Sequence, residues 1–205
     1  MVRGIANSKI GFGDLILLLR YFFKLKVSTH PNHHIEIKSQ LEEWANYDSL
    51  TSIFNRRYGE HLLDTIQKDM CNEDNSCCVL LADIDYFKTI NDTHGHALGD
   101  KVLQQVMHEL SKNLRSKDTL IRWGGDEILI VLPSIKLDSA LKMADRLRTV
   151  IESCKFPRIE EVTMSFGVVT WKRKELKTTV LRRADEQLYL AKANGRNCIF
   201  PHSVP

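Results

Sequence analysis

Three acidic residues occupy positions where a carboxylate could bind a metal ion or a cationic partner. Asp126 and Glu127 follow a pair of glycines between two apolar, β-prone runs, and Asp83 follows the apolar run 77–82. A glycine pair between such runs predicts a tight hairpin turn whose residues need positive φ. The hairpin alone could be purely structural, but two adjacent acids at the mouth of a buried sheet are costly without a cation. The residue types leave both interpretations open.

The elements that would position these acids can be read from the hydrophobic periodicity. We predict helices at about 56–69, 98–114, 140–151 and 178–193, and strands at 77–82, 119–123, 127–132, 162–169 and 197–200. The central order of strand, helix, strand, strand, helix, strand predicts an α+β fold with a ferredoxin-like βαββαβ core, whose antiparallel-rich sheet is flanked by helices. The first two core strands run parallel, with the third between them and antiparallel to both. Asp83 and Asp126 should therefore meet at one edge of the sheet.

Oxygen ligands at that edge favour a particular metal. Asp83, the main-chain carbonyl of Ile84 and Asp126 would present hard oxygen atoms. Mg²⁺ prefers such ligands, usually a few carboxylates completed by waters and substrate phosphates. No histidine or cysteine lies close enough in the sequence to suggest zinc. We therefore predict a magnesium site.

Composition narrows the class of protein. The 205 residues, 43% hydrophobic and 27% charged, indicate a soluble globular domain with an appendage. A formal net charge of +3 is too small to indicate nucleic-acid binding. The five cysteines form no CxxC pair, and their odd number argues against a disulfide framework. Reduced thiols indicate a cytoplasmic protein.

The N-terminal part of the chain has no assigned function. Residues 1–34 are a short segment and linker of unknown role, and the leucine- and phenylalanine-rich stretch 11–27 is interrupted by charged residues. Its longest uncharged run falls far short of the ~20 residues of a membrane span. We favour a helix that packs on a partner or the remnant of a sensor region over an interfacial membrane contact. Residues 35–47 have the spacing of an amphipathic connecting helix, which would lead into a domain over 48–202.

Four stretches resemble the motifs of GGDEF-domain diguanylate cyclases. The turn reads WGGDEI, with isoleucine in place of the final phenylalanine, and 48–57 resembles DxLTxLxNRR with Ser52 in place of glycine. The stretch 83–100 resembles DIDxFKxxND…GHxxGD, and 184–197 resembles ADxALYxAKxxGRN. The resemblance extends over about 48–200. It implies bacterial signalling through the condensation of two GTP molecules into cyclic di-GMP, with release of two pyrophosphates.

The resemblance also implies roles for individual residues. Two Mg²⁺ ions per half-site, with Mn²⁺ as an alternative, would be held by Asp83, the carbonyl of Ile84 and Asp126. The catalytic residues would be Asp126, Glu127 and Lys88. The substrate-binding residues would be Asn91, His96, Asp100, Lys192 and Arg196. Within this set Asn91 and Asp100 would read guanine, and Lys192 and Arg196 would reach the β- and γ-phosphates. An alternative for His96 is a capping role at the start of its helix.

A regulatory site is implied as well. Arg115 and Asp118 form an RxxD motif separated from Gly124 by five residues, which resembles the family's inhibitory product site. Arg146, on the following helix, aligns with a further arginine of that site. An arginine can bind phosphates or guanine through two parallel hydrogen bonds, which suits cyclic di-GMP.

The resemblance implies a homodimer, because each domain would supply half of an active site. There are two alternatives to a diguanylate cyclase. A catalytically weak domain could serve as a cyclic di-GMP receptor through Arg115 and Asp118. An enzyme that makes a mixed adenine–guanine dinucleotide is disfavoured by Asp100, whose carboxylate suits guanine.

Overall fold

The structure is a computed structural model that describes residues 45–69 and 76–201. The predicted segment 1–34 and most of the predicted helix 35–47 lie outside these residues. The last three residues of that helix, 45–47, instead form a turn that ends in a single bridge between Tyr47 and Phe54. In the described ranges, no helix is long and apolar enough to cross a membrane.

The described residues contain six strands and five helices. The strands are β1 (Phe54–Asn55), β2 (Cys77–Ile84), β3 (Thr119–Arg122), β4 (Glu127–Pro133), β5 (Met164–Trp171) and β6 (Ile199–Phe200). The helices are α1 (Arg56–Asp69), α2 (Phe87–His94), α3 (His96–Lys112), α4 (Leu137–Ser153) and α5 (Lys177–Ala193). All the helices and strands predicted within these ranges are present, with ends that shift by a few residues. The short elements β1 and α2 were not predicted.

The six strands form one sheet in the order β1-β3-β4-β2-β5-β6. β2 is antiparallel to both of its neighbours, β4 and β5, and β3 is antiparallel to β4. The outer pairs β1–β3 and β5–β6 are parallel. The first two core strands, β2 and β3, are therefore parallel with β4 between them. This confirms the predicted α+β core, within a sheet that is mixed.

The central strand β2 is buried along its whole length. Because successive side chains of a strand point to opposite faces, its residues divide between two apolar clusters. Leu80 and Ile84 belong to the cluster that includes the buried faces of α3 and α4, whereas Val79 and Leu81 belong to the cluster that includes α1 and α5. A strand covered on both faces can meet solvent only at its ends, and Asp83 lies at one of them.

Helix α5 lies directly on β5 at Gly167. A Cβ atom on Gly167 would lie 2.2 Å from the carbonyl oxygen of Ala184 and 2.3 Å from the amide nitrogen of Leu188. Both atoms belong to the backbone, so they cannot move aside cheaply. The missing side chain therefore sets how closely α5 approaches the sheet, and with it the position of the basic C-terminal end of the helix.

We predict that Gly167→Ala lowers the free energy of unfolding by about 3 kcal/mol, because the added methyl group overlaps helix backbone. Gly125→Ala is the matched control, since a Cβ there meets no atom within 4 Å and the φ of Gly125 is not in the left-handed region. Urea denaturation of both variants measures the difference. Similar unfolding midpoints for the two variants would contradict this account of the β5–α5 contact.

Candidate active site

Asp83 is the centre of the candidate site. In the sheet register it lies opposite Glu127 of β4 on one side and Ser165 of β5 on the other. It is only 8% exposed, and its Oδ2 lies 2.8 Å from Nζ of Lys192, from the last turn of α5. The predicted meeting of the strand end with the hairpin is therefore present, and the predicted phosphate ligand Lys192 is part of the same cluster.

The protonation of Asp83 reflects a crowded acidic edge. Burial is the largest cause that raises the pKa of Asp83 to about 6. The hydrogen bond from Lys192 partly offsets this rise, whereas the nearby charges of Asp126 and Glu127 add to it. The carboxylates of Asp83, Asp126 and Glu127 therefore repel one another at one end of the sheet, and Lys192 bonds to Asp83. A bound cation would relieve both the desolvation and the repulsion.

The available oxygen atoms fit Mg²⁺ bound through few protein ligands. Across residues 45–69 and 76–201, no three His, Cys, Asp or Glu side chains are grouped as an all-protein metal site. Mg²⁺ usually binds through one or two carboxylates and completes its shell with waters and phosphates. Asp83 and Asp126 could supply those carboxylates. The metal-binding role of the carbonyl of Ile84, a fully buried residue paired with Met164, stays a prediction.

The hairpin turn differs from its predicted conformation. The amide nitrogens of Trp123 and Gly124 both donate to the carbonyl oxygen of Glu127, at 2.8 and 3.2 Å. Neither glycine of the turn has a φ in the left-handed region, so the prediction of positive φ was wrong. A Cβ on Gly124 would lie 2.6 Å from Oε2 of Glu127. The end of the Glu127 side chain thus lies against Gly124.

Arg122 connects the hairpin turn to residues 48–51 through hydrogen bonds. Its Nε and one terminal nitrogen donate to the carbonyl oxygen of Gly125 at 3.1 and 2.9 Å. Its other terminal nitrogen donates to both carboxylate oxygens of Asp48, at 2.9 and 3.1 Å. Burial raises the pKa of Asp48, but hydrogen bonds from Thr51 and Arg122 outweigh it and leave the pKa below its usual value. The Arg122–Asp48 pair was not predicted from the sequence. The only signal for it was that Arg122 lies next to the turn.

The two residues predicted to read guanine lie on neighbouring helices. Asn91 belongs to α2 and Asp100 to α3. A Cβ on Gly99 would lie 1.8 Å from Oδ1 of Asn91, so the absence of a side chain at Gly99 lets the amide of Asn91 rest against α3. Asp100 follows Gly99 in α3 and is exposed. The guanine-reading roles of Asn91 and Asp100 stay predictions.

The other predicted residues of this block lie on the surface. Lys88 is exposed in the first turn of α2, and His96 is the exposed first residue of α3. Gly95 is the N-cap of α3, and no side chain bonds that cap, which argues against the capping alternative for His96. The catalytic role of Lys88 and the substrate-binding role of His96 stay predictions.

Asp85 has a different role from Asp83, although only one residue separates them. It is 3% exposed, and its carboxylate accepts hydrogen bonds from Thr163 Oγ1 at 2.8 Å, from Ser165 Oγ at 2.7 Å and from the amide nitrogen of Asn197 at 3.0 Å. With these donors the carboxylate is satisfied by the protein. Asp85 therefore anchors the fold, a role that the sequence analysis did not assign.

The C-terminal motif returns to the same end of the sheet. Gly195 has a φ of 104° just past α5, as expected for a helix-ending glycine. The following residue, Arg196, also has positive φ, and its amide nitrogen donates to the carbonyl oxygen of Ala191 at 3.1 Å. Its guanidinium lies over the ring of Tyr86, three residues beyond Asp83. The structure thus brings Arg196 and Lys192 to the candidate site from one helix end.

The RxxD motif forms a tight turn beside a cavity. The amide nitrogen of Arg115 donates to Oδ2 of Asp118 at 2.9 Å, while Oδ1 is buried without a hydrogen-bond partner among the described residues. A cavity of about 500 Å³ is lined in part by Arg115, Lys142 and Arg146. The structure therefore brings the two predicted arginines together, whereas Asp118 supports the turn and is not part of the cavity lining.

Comparison with known proteins agrees with this geometry. A family model described as "Diguanylate cyclase, GGDEF domain" matches residues 45–198. The chain therefore belongs to the GGDEF domain family, and the resemblance found in its motifs is confirmed.

The similar proteins include longer ones. The response regulator PleD of Caulobacter vibrioides is 39% identical over 163 residues, which are 77% of this chain and 36% of PleD. The diguanylate cyclase DgcM of Escherichia coli is 35% identical over 164 residues, 80% of this chain and 40% of DgcM. The GGDEF domain of DgcB from Caulobacter crescentus, solved in complex with c-di-GMP, has a TM-score of 0.73 and 28% identity, and the match covers 76% of this chain and 94% of that one. This chain thus spans two fifths or less of PleD and DgcM.

We predict that Asp83→Asn stabilises the metal-free protein at pH 8. The folded-state pKa of Asp83, about 6, lies above its ordinary value of 3.8, so wild-type stability falls as the pH rises between these two values and stays lower above them. Removing the charge should raise the free energy of unfolding by up to about 3 kcal/mol at pH 8, and by almost nothing near pH 4.

Urea denaturation in the presence of a chelator, at pH 4, 6 and 8, measures this difference. Asp92→Asn, which removes an exposed acid from α2, is the control for the loss of one negative charge. A destabilised Asp83→Asn protein at pH 8 would mean that the Asp83 carboxylate supports the apoprotein fold rather than opposing it.

Proposed function

We propose that this chain is a diguanylate cyclase that condenses two GTP molecules into cyclic di-GMP and releases two pyrophosphates. The observation that carries the proposal is the buried carboxylate of Asp83, bonded to Lys192 and lying opposite Glu127 beside Asp126, in a domain of the GGDEF family. Acidic side chains that would bind a metal and basic side chains that would bind phosphates lie at one end of the sheet. This arrangement suits transfer of a nucleotidyl group.

The reaction would join two nucleotides held by two copies of the chain. With the domains facing each other, each GTP 3′-oxygen would attack the α-phosphorus of the other GTP in line, and pyrophosphate would leave. Asp126, in the turn, would accept the proton of the attacking hydroxyl. When bound, Mg²⁺ would supply charge neutralisation on the phosphates and a lower pKa for that hydroxyl.

The chain's own residues would bind and select the nucleotide. Lys192 and Arg196 would bind the β- and γ-phosphates, with Lys192 exchanging its bond to Asp83 for one to phosphate. Asp100 would accept hydrogen bonds from N1–H and the exocyclic amine of guanine. Adenine cannot donate in this pattern, so a bound adenine would leave the Asp100 carboxylate without partners and be rejected.

The cavity beside the RxxD turn supports a second part of the proposal. Arg115 and Arg146 line it together, and Lys142 adds a third positive charge. Cyclic di-GMP carries two phosphates and two guanines, which arginines bind through paired hydrogen bonds. Product bound there would inhibit the enzyme without entering the GTP site. The same cavity is the feature that favours the alternative function, a receptor for cyclic di-GMP.

The first test is Asp126→Ala, which should reduce cyclic di-GMP synthesis at least a hundredfold, because it removes both the proton acceptor and a metal-binding oxygen. Purified protein is incubated with GTP and Mg²⁺, and the product is measured by chromatography. Glu160→Gln, an exposed acid outside the site, is the control and should retain activity. If Asp126→Ala kept activity within about threefold of wild type, the catalytic assignment would be wrong.

The second test concerns inhibition by product. Arg115→Ala should raise the cyclic di-GMP concentration for half inhibition at least tenfold, about 1.4 kcal/mol of lost binding, with little change in the KM for GTP. Lys117→Ala, an exposed residue of the same turn that does not line the cavity, is the matched control.

Progress curves with added cyclic di-GMP measure the inhibition of each protein. Equal inhibition of wild type and Arg115→Ala, or inhibition that excess GTP overcomes, would exclude the cavity as the inhibitory site. Cyclic di-GMP binding that depends on Arg115 in a protein with no cyclase activity would instead identify a receptor.

A further inference from the structure

Two loops meet at the candidate site through two adjacent contacts. One loop follows β2 and contains Asp85 and Tyr86, and the other follows α5 and contains Arg196 and Asn197. Asp85 accepts a partly buried hydrogen bond from the amide nitrogen of Asn197. On the solvent side, Tyr86 contacts Arg196. The inner contact has a clear structural purpose, because it satisfies a buried carboxylate, whereas the purpose of the outer contact is not explained by the fold.

The outer contact places a guanidinium group over an aromatic ring. Cζ of Arg196 lies 4.5 Å from the centroid of the Tyr86 ring, and one terminal nitrogen lies 3.3 Å from the Tyr86 hydroxyl oxygen. A guanidinium group over an aromatic ring leaves most of the N–H groups at its edge available. Those edge donors are the ones that bind phosphate oxygens in pairs.

Tyrosine at position 86 is not explained by packing or by helix capping. Tyr86 is 60% exposed, and it lies in the left-handed region with a φ of 55°. This conformation is unfavourable for a bulky residue, and asparagine adopts it more readily. Tyr86 is also the N-cap of α2, yet no side chain bonds that cap, although a short polar residue could do so. Contact with Arg196 is what the ring provides.

The backbone of the second loop is fixed independently of Tyr86. Besides its amide bond to Asp85, Asn197 donates through Nδ2 to Glu152 Oε1 at 2.7 Å and accepts at Oδ1 from Arg148 at 3.0 Å. The freedom that remains for Arg196 is therefore in its long side chain. An arginine side chain is among those that lose most rotamer entropy when they are ordered. A ring that holds the guanidinium before the ligand arrives reduces that loss on binding.

We propose that Tyr86 is a positioning residue for substrate: its ring orients the guanidinium of Arg196 toward the terminal phosphates of the nucleotide. This inference rests on the proposed function, in which Arg196 binds the β- and γ-phosphates of GTP. It predicts an effect on ligands that carry those phosphates and none on ligands that lack them.

Three variants test the contact. Tyr86→Asn removes the ring but suits the left-handed backbone, so the KM for GTP should rise about fivefold while the melting temperature stays level or rises. Tyr86→Phe keeps the ring and loses only the hydroxyl group, so its KM should stay within about twofold of wild type. Arg196→Ala should raise the KM further than either. The KM values are determined from initial rates, so that accumulated product does not inhibit the enzyme during the measurement.

Binding measurements separate positioning from general structural damage. Calorimetric titration with GTP and with GMP, in Ca²⁺ to suppress turnover, should show weaker binding of GTP by Tyr86→Asn and unchanged binding of GMP. In the Arg196→Ala background, Tyr86→Asn should have no further effect on GTP binding. Equal loss for GTP and GMP, or a full effect of Tyr86→Asn without Arg196, would overturn the proposal.

The outcomes also distinguish this inference from the proposed function. If Arg196→Ala weakens GTP binding and Tyr86→Asn does not, the inference fails while the cyclase proposal stands. If wild type neither binds GTP nor makes cyclic di-GMP, the proposed function fails and the inference fails with it.

Discussion

The burial of strand β2 is the constraint on which the site depends. All eight of its residues are buried, so the chain reaches the sheet edge carrying Asp83 at the end of the strand and Asp85 just beyond it. A buried carboxylate needs hydrogen-bond donors or opposite charge. Asp85 obtains three donors from the protein, whereas Asp83 has its bond to Lys192 and the repulsion of two neighbouring acids. The first is a structural anchor, and the second is poised for a ligand.

The anchor also explains how distant parts of the chain reach the site. The donors to Asp85 come from Thr163 and Ser165 at the start of β5 and from Asn197 after α5. Joining these segments to the end of β2 brings Arg196 beside the loop that follows Asp83. The close approach of α5 to Gly167 places Lys192 on the same side. The Asp85 carboxylate and the α5–β5 contact thus bring the basic residues of the site to its acidic edge.

The sequence predicted the parts of this site that follow from topology. The meeting of Asp83 with the hairpin required only the order of the strands, and the pairing of β2 with β4 confirms it. Contacts such as Arg122 with Asp48 and Arg196 with Tyr86 could not be predicted, because they join residues 74 and 110 positions apart through particular loop conformations.

The prediction of positive φ in the glycine turn failed for a related reason. A glycine pair suggests left-handed backbone, but in the folded hairpin the Glu127 side chain lies against Gly124 and neither glycine adopts that conformation. The short helix α2 has eight residues and no side-chain cap, so it lacks the usual signals of a helix start. Local conformations of this kind depend on contacts made only in the folded domain.

Helix α4 contributes to both candidate sites, and its packing limits how they could communicate. Arg146 lines the cavity beside the RxxD turn, whereas Arg148 and Glu152 hold Asn197, the residue that follows Arg196. The helix is packed in the core through fully buried side chains, including Ala144, Leu147 and Ile151.

A densely packed interface does not deform continuously, so a ligand in the cavity has little scope to shift α4 and disturb Arg196 within one domain. The product inhibition that we propose would therefore act between domains. Arg115 is exposed on the surface beside the cavity, and a ligand held there could contact a second copy of the chain. If each domain supplies one half-site, as we propose, fixing the relative orientation of the two would stop the reaction and leave each GTP site intact, because neither half-site could form the product alone.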